Sequence, residues 1–321
     1  MAGKSGNLMN YWISADWGTS SLRLYLMDKQ KGTILDTFEN SDGIKLIFSA
    51  YIVEHLHDQL SYFRIHLQRL LNDFLSNHGI EDRTIPVVLS GMVSSSIGML
   101  ELPYTVLPLA LDGSTLQTRF LEGSTEFNPL YLISGCHKEG DVMRGEEVQT
   151  IGWKSITEYS GDIILILPGT HSKHIEIRND QISNFSTYMT GELFDIIRNH
   201  SILKSSTAEE TDAFHNAHFI EGLDASKGII SNGLFKIRAL DLQHKFSNGG
   251  GASYLSGLLI GHELSGLCGY SVCVLAGERL FKRYSIACRY LRIHLLETTD
   301  DHEIAHFTIR GQEKVLQNLL M

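Results

Sequence analysis

Two short stretches carry the residue types that phosphate chemistry needs. The first is Asp16, then Gly18, Thr19, Ser20 and Ser21, then Arg23; the second is Gly169, Thr170, His171 and Ser172, then Lys173. A glycine-containing turn lets backbone N–H groups approach an anion, and a Thr or Ser hydroxyl adds a donor. Two such turns can grip a polyphosphate from both sides. Asp16, at the end of the strand that leads into the first turn, offers the hard oxygen ligand that Mg2+ prefers. Arg23 or Lys173 can neutralise charge on a transferring phosphoryl group. One Asp-x-Gly-Thr stretch is an ordinary hairpin turn; the pair gains weight because both turns sit in the same setting.

That setting is a repeat. Residues 12–16 read as a buried strand, 22–28 alternate apolar and polar, and 33–39 fit a third strand. Further on, 162–167 (DIILIL) form a buried strand, 173–178 (KHIEIR) alternate, 179–180 make a turn and 181–187 a third strand. The recurrence divides the chain into two domains of related build, 1–155 and 156–321. Between the hairpins, 50–78 have helical spacing of apolar residues (Ile52, Leu56, Leu60, Phe63, Leu67, Leu70, Leu71, Phe74). A buried strand at 85–89 runs through Ser90 and Gly91 into a serine-rich helix start; 131–134 is a strand and 143–153 a helix. After the second hairpin a helix begins near Thr190, with Leu193, Phe194, Ile196 and Ile197 as its apolar face. A late strand at 273–276 and helices at 278–290 and 302–320 complete the expected elements.

The bulk properties suit an enzyme of two medium domains: 321 residues, 43% hydrophobic and 20% charged. A net charge of −10 argues against nucleic acid or an anionic membrane as partner, but not against small anions held by a few local donors. Cys136, Cys268, Cys273 and Cys288 contain no CxxC pair and read as reduced thiols. The first ten residues lack the apolar core of a signal peptide. The most apolar stretch, 252–277, holds His262, Glu263 and five glycines, so a membrane span is not expected and the cytoplasm is. Spacings such as His171/His174 and His215/His218 arise by chance among 15 histidines, and no transition-metal site is expected from them.

The chain resembles the 2-keto-3-deoxygalactonate kinase (2-dehydro-3-deoxygalactonokinase) family, a branch of the acetate kinase/hexokinase/actin superfamily. The resemblance rests on DWGTSSLR at 16–23, GMVSSSIG at 91–98, PY at 103–104, VMRGEE at 142–147, PGTHSK at 168–173, MTGEL at 189–193, LSGLLIGHE at 255–263 and LAG at 275–277. The segment 201–250 looks idiosyncratic. The resemblance implies an α/β fold of two actin/hexokinase-like (ribonuclease H-like) lobes with an active-site cleft between them. It implies ATP and Mg2+, and phosphorylation of 2-dehydro-3-deoxy-D-galactonate at its 6-hydroxyl in galactonate breakdown.

Carried over residue by residue, the resemblance assigns ATP to Gly18, Thr19, Ser20, Ser21 and Arg23, to Gly169, Thr170, Ser172 and Lys173, and to Ala276 and Gly277 in the adenosine loop. Asp16 takes the metal, and Asp16 and Lys173 act in catalysis. The sugar acid falls to Gly91, Met92, Ser94 and Ser95, where a helix N-terminus suits a carboxylate, with Tyr104 nearby. Plain N-capping by serine is the alternative there. Arg144 suits a carboxylate or phosphate with its planar fork, or else an ion pair with Glu146 or Glu147. The proton acceptor is Glu146, Glu147 or Asp141. Neighbours on a helix diverge by about 100°, so one of the two glutamates faces the site, and Glu146 is favoured. Glu192 opens a helix, where it serves the dipole or touches substrate or magnesium. Alternatives are a kinase of another small sugar or sugar acid on this fold, and a non-catalytic sensor of nucleotide or sugar acid. The expected partners are the sugar acid and ATP, with a homodimer left open.

Overall fold

The computed structural model describes residues 10–54, 58–208, 214–246, 249–296 and 304–320. They form two compact units: the described residues up to 159 together with 305–320, and those between 160 and 304.

In the first unit, β1 (Tyr11–Trp17) is covered on both faces, as its near-continuous apolar run requires. It pairs antiparallel with β2 (Leu22–Asp28), which pairs antiparallel with β3 (Thr33–Asn40), an edge strand that alternates exposed and half-buried residues. Then come α1 (Ile44–Glu54), α2 (Gln59–Ser76) and β4 (Val87–Gly91), which lies parallel to β1. The short strands β5 (Thr105–Val106), β6 (Leu109–Ala110), β7 (Thr118–Leu121), β8 (Leu130–Ile133), β9 (Cys136–Lys138) and β10 (Asp141–Met143) lead to α3 (Glu146–Ile156). The main sheet runs β3-β2-β1-β4-β8-β7, and β10-β9-β5 form a small second sheet. Phe63, Leu67, Leu71 and Phe74 of α2 pack with Ile13, Leu24, Leu26, Val87 and Leu89 in the core.

The second unit repeats the plan. Its elements are β11 (Ile163–Leu167), β12 (Ser172–Arg178), β13 (Gln181–Tyr188), α4 (Thr190–His200), α5 (Asn216–Ala225), α6 (Ile230–Leu242), α7 (Gly250–Glu263), β14 (Ser271–Val274), α8 (Glu278–Leu291) and β15 (His294–Leu295). Its own five strands lie in the order β15-β14-β11-β12-β13, with β14 parallel to β11 and β11-β12-β13 antiparallel. Three antiparallel strands extended by parallel ones on the side of the first is the ribonuclease H-like arrangement, present here twice. α7, the centre of the apolar stretch at 252–277, is buried almost throughout. Its Gly257 lets α5 cross at backbone contact, since a Cβ there would stand 2.0 Å from the Phe219 carbonyl. Among the described residues no helix is long and apolar enough to cross a membrane.

Four expectations are corrected. The helix expected over 50–78 is two helices. Asp58 accepts the Ser61 N–H at 3.0 Å and caps the start of α2, while α1 begins early because the Ile44 and Lys45 N–H groups bond to the carbonyls of Gly18 and Thr19. Leu56 lies outside the described residues. No α-helix follows Gly91; Met92–Ser94 make a single 3-10 turn. The helix expected from 143 starts at Glu146, because 141–143 pair as β10. The chain does not divide at one boundary: the last helix, α9 (Ile304–Leu320), belongs to the first unit. Gln312 Nε2 there donates to the Ala15 carbonyl at 2.9 Å and to Ser90 Oγ at 2.8 Å, bridging β1 and β4 from beneath. The expected start of this helix at His302 lies outside the described residues.

Candidate active site

Asp16 closes β1 directly opposite Arg23 on β2 and beside Ser90 on β4. Arg23 Nη1 stands 3.8 Å from Asp16 Oδ2, while its Nε donates to Glu39 Oε1 at 2.8 Å. The Asp16 side chain keeps 24% of its surface exposed. Burial of the rest raises its carboxyl to about 6, against the pull of Arg23 and with the help of negative Glu146 and Glu39. The turn beyond it closes with a 2.9 Å bond from Gly18 N–H to the Ser21 carbonyl and leaves Thr19 and Ser20 exposed.

Gly91 ends β4 against this carboxylate. Its φ is +88°, and a Cβ would stand 2.8 Å from the Trp17 carbonyl and 3.3 Å from Asp16 Oδ1. Gly145, at φ +112°, packs on Gly91 and brings the head of α3 to the same place. Arg144, just before it, donates from Nη1 to the Ser94 carbonyl and, at 2.7 Å, to Ser94 Oγ. Its guanidinium lies 4.2 Å from the centre of the Tyr104 ring, and its Nε is buried with no hydrogen-bond partner. Ser94, Tyr104 and Arg144, expected together from scattered motifs, therefore meet. The arginine contacts Glu146 through its backbone N–H, at 3.0 Å, while the fork turns to Ser94 and Tyr104. The serines themselves are braces. Ser94 Oγ donates to the Ile133 carbonyl at 2.8 Å, Ser95 Oγ to the Met92 carbonyl at 2.7 Å, and both residues are buried.

The three carboxylates considered as proton acceptor separate clearly. Glu147 is 1% exposed, and both its oxygens accept the Gly145 N–H at 2.9 Å. Burial, and then the charge of Glu146, push its carboxyl up to about 8. Asp141 opens β10 and accepts the Val142 N–H at 2.8 Å. Glu146 is only partly buried and is the one of the three whose charge raises Asp16.

In the second unit the exposed part of the hairpin is Gly169, Thr170 and His171. The head of α4 docks on it: Glu192 N–H donates to the Thr170 carbonyl at 3.0 Å, and Glu192 Oε2 meets His171 Nε2 at 2.6 Å. Gly191 is needed for this approach, because a Cβ would stand 2.4 Å from the Gly169 carbonyl. Ser172 and Lys173 differ from the expectation that they face the phosphate. Ser172 is fully buried and donates to Glu263 Oε1 at 2.7 Å. Lys173, also buried, lies across from Leu167 and donates from Nζ to Thr187 Oγ1 at 2.7 Å. Both follow from strand alternation in β12, which starts at Ser172 and turns successive side chains to opposite covered faces.

A pocket of about 90 Å³ adjoins this turn. Pro168, Gly169, Thr190, Gly191 and Phe194 line one side, Ser256, Leu259 and Ile260 of α7 the second, and Leu280, Arg283 and Tyr284 of α8 the third. Ala276 and Gly277 lead directly into α8, Gly277 as its N-cap. Of the expected apolar face of α4, Phe194 and Ile197 pack inward, whereas Leu193 and Ile196 stay exposed. Sequence reasoning missed the α7 and α8 walls and Glu263, although LSGLLIGHE, which supplies part of them, stood out as a motif. It also missed Gly43, buried against the backbone of Thr19 and Ser20, whose counterpart is Gly191.

Two ribonuclease H-like units, each with a glycine-hydroxyl hairpin and one with a carboxylate at its root, define a phosphate-handling protein of the actin and hexokinase type. A model of the 2-keto-3-deoxy-galactonokinase family matches residues 16–310, and the chain belongs to that family. It is 29% identical over 264 residues to a candidate 2-dehydro-3-deoxygalactonokinase of Rhizobium meliloti (strain 1021), covering 80% of each chain. It is 29% identical over 285 residues to the 2-dehydro-3-deoxygalactonokinase of Escherichia coli (strain K12), covering 86% of this chain and 88% of that one. A crystal structure of a candidate 2-dehydro-3-deoxygalactonokinase from Sinorhizobium meliloti superposes with a TM-score of 0.80 at 25% identity, over 96% of this chain and 99% of that one.

Proposed function

We propose that the protein is an ATP-dependent kinase that phosphorylates the 6-hydroxyl of 2-dehydro-3-deoxy-D-galactonate. The observation that carries this is the packing of the head of α3, through Gly145, on Gly91 beside Asp16, where the charge of Glu146 adds to burial in raising the Asp16 carboxyl. Family membership and the names of both curated relatives supply the substrate.

Asp16 suits a magnesium ion. Its carboxyl sits near 6 because burial outweighs the pull of Arg23, so a bound cation would favour its charged form, and the missing side chain of Gly91 leaves Oδ1 uncrowded. Magnesium bound there would neutralise charge on the polyphosphate. Glu146 accepts the proton of the attacking hydroxyl as the P–O bond forms, and Arg23 steadies the anionic surroundings of Asp16. Arg144, propped by Ser94 and flat against Tyr104, offers a planar fork to the sugar-acid carboxylate. Gly91, Met92 and Ser95 shape the loop that holds this fork.

The first hairpin presents Gly18, Thr19, Ser20 and Ser21 to phosphate. In the second unit the turn of Gly169 and Thr170 binds phosphates through backbone N–H groups and one hydroxyl, and the adjoining pocket takes the adenosine, with Ala276 and Gly277 leading into α8, which supplies one of its walls. Lys173 adds positive potential from within its strand, and Ser172 acts through the position of the turn. The free thiols of Cys136, Cys268, Cys273 and Cys288 suit the reducing cytosol.

The test is ADP release from ATP across a panel of keto-deoxy acids, aldonic acids and neutral sugars. The reading predicts that 2-dehydro-3-deoxy-D-galactonate is turned over at least about tenfold more efficiently than the rest, the low end of what one extra or missing group is worth. Turnover confined to a neutral sugar would move the substrate. Thermal stabilisation by a sugar acid without turnover of any would make the protein a sensor.

A further inference from the structure

Behind the second hairpin lies a buried polar cluster centred on a carboxylate that takes no part in the proposed chemistry. Glu263, the last residue of α7, is 2% exposed. Its Oε1 accepts from Ser172 Oγ at 2.7 Å and from His174 Nε2 at 2.9 Å, and its Oε2 accepts from the Tyr284 hydroxyl at 2.8 Å. A carboxylate withdrawn from water needs donors to replace its hydration. Here three converge on two oxygens from two elements, β12 and α8. Burial and the nearby carboxylate also push the Cys288 thiol up to about 12 and the Tyr284 hydroxyl well above its ordinary range.

Two of the three donors lead to the proposed nucleotide side. Ser172 closes the exposed turn of Gly169, Thr170 and His171. His174 sits two residues on, on the same face of β12, its ring 4.5 Å from that of Tyr188. Tyr284 lines the pocket that Gly169 also lines. One carboxylate thus ties the hairpin strand to the pocket wall. A loose hairpin would have to reorganise its N–H groups each time phosphate binds, whereas a strand pinned from behind holds them ready.

We infer that Glu263 is a positioning residue for the nucleotide: it acts through Ser172 and Tyr284 to set the turn at 169–171 against the pocket. This rests on the nucleotide reading of the second unit. Glu263→Gln, in the full-length chain, keeps the side-chain volume but turns an N–H2 toward groups that already donate. It is expected to raise the KM for ATP and the calorimetric Kd for ADP about tenfold or more, the scale of losses when an outer-shell partner is removed, with the sugar-acid KM within about twofold. Tyr284→Phe, which removes one donor and keeps the ring, is expected to shift the same two constants less. Ser172→Ala added to Glu263→Gln is expected to bring no further loss, because both break one linkage. If Glu263→Gln does not fold, Tyr284→Phe and Ser172→Ala, single and combined, decide by the same constants. Variants that melt earlier yet keep wild-type KM for ATP and Kd for ADP would overturn the inference, as would a change confined to the sugar-acid KM. Wild-type protein that binds no ADP would remove the nucleotide reading and this inference with it; wild-type binding with unchanged variants would remove this inference alone.

Discussion

The two units have the same strand order and the same glycine-hydroxyl hairpin, but the residues at the hairpin's root differ. In the first, Asp16 faces Arg23 across the ladder; in the second, Leu167 faces Lys173. Where the cross-strand pair is charged, a half-open carboxylate stands beside Glu146 and can serve a metal and a proton. In the second unit the lysine stands across from a leucine and donates to Thr187, and a buried acid, Glu263, stands behind the hairpin with both oxygens occupied. A repeated scaffold therefore does not repeat its chemistry. The first root sets a carboxylate beside its turn, and the second sets a leucine there, with its turn docked by Glu192 and lying beside a pocket.

Replacing Asp16 is the strongest way to break this contrast. Asp16→Asn is expected to lower turnover at least about 10³-fold, comparable to losing a main electrostatic group of a catalytic site. The fold should gain. The folded carboxyl sits near 6 against an ordinary 3.8, so its contribution to stability is complete below the lower value and lost as pH rises through the upper one. Ionised Asp16 thus burdens the fold by on the order of 2–3 kcal/mol in neutral solution. Melting curves at about pH 8 should place Asp16→Asn level with or above wild type, and a clear loss of stability would assign Asp16 to the core.

Glu146→Gln comes next, with an expected loss of about 10²–10⁴-fold in turnover and an unchanged Kd for ADP. Glu147→Gln should stay within a few-fold of wild type near neutral pH, because a carboxyl held at about 8 is already protonated there and the amide matches its shape. It should also remove the part of the wild-type stability that is lost as pH rises through 8. The opposite ranking would shift the proton acceptor to Glu147, and full activity in both would shift it to Asp141.

How much of this was legible in the sequence follows the range of the contacts. Asp16, the two turns and the three strands around each were readable because period and turn chemistry act over a few residues. The docking of Arg144 on Ser94 was not foreseen, since 50 residues separate the partners; the resemblance only assigned both to the sugar acid. The return of α9 to the first unit rests on Gln312 reaching Ala15, and nothing local in 304–320 announces a partner 297 residues away. Ser172 misled because a hydroxyl beside a phosphate turn looks like a ligand, and its true acceptor, Glu263, lies 91 residues on. The missing helix after Gly91 has a local cause. Ser95 bonds back to the Met92 carbonyl and stabilises a turn in competition with a helix, while Ser94 is drawn to the Ile133 carbonyl on β8. The cap at Asp58 was visible in the sequence and was overlooked beneath a long apolar period.

Smaller effects sharpen the comparison. Arg144→Lys keeps the charge but loses the fork and the face that lies on Tyr104, so the sugar-acid KM should rise about tenfold while the KM for ATP stays put. Equal losses in both would place Arg144 on phosphate. The two glycines at the nucleotide side should differ. Gly191→Ala drives a Cβ to 2.4 Å from the Gly169 carbonyl and should raise the KM for ATP several-fold by displacing the turn. Gly277→Ala meets nothing within 4 Å and has an ordinary φ of −62°, so its KM for ATP should barely change.

The division of labour is tested most directly by titrating ADP, without divalent metal, into the Asp16→Asn and Gly191→Ala chains in a calorimeter. The account predicts that Asp16→Asn binds ADP as wild type does although it has lost turnover, and that Gly191→Ala binds it several-fold more weakly. Loss of metal-free ADP binding in Asp16→Asn, with wild-type affinity in Gly191→Ala, would contradict it.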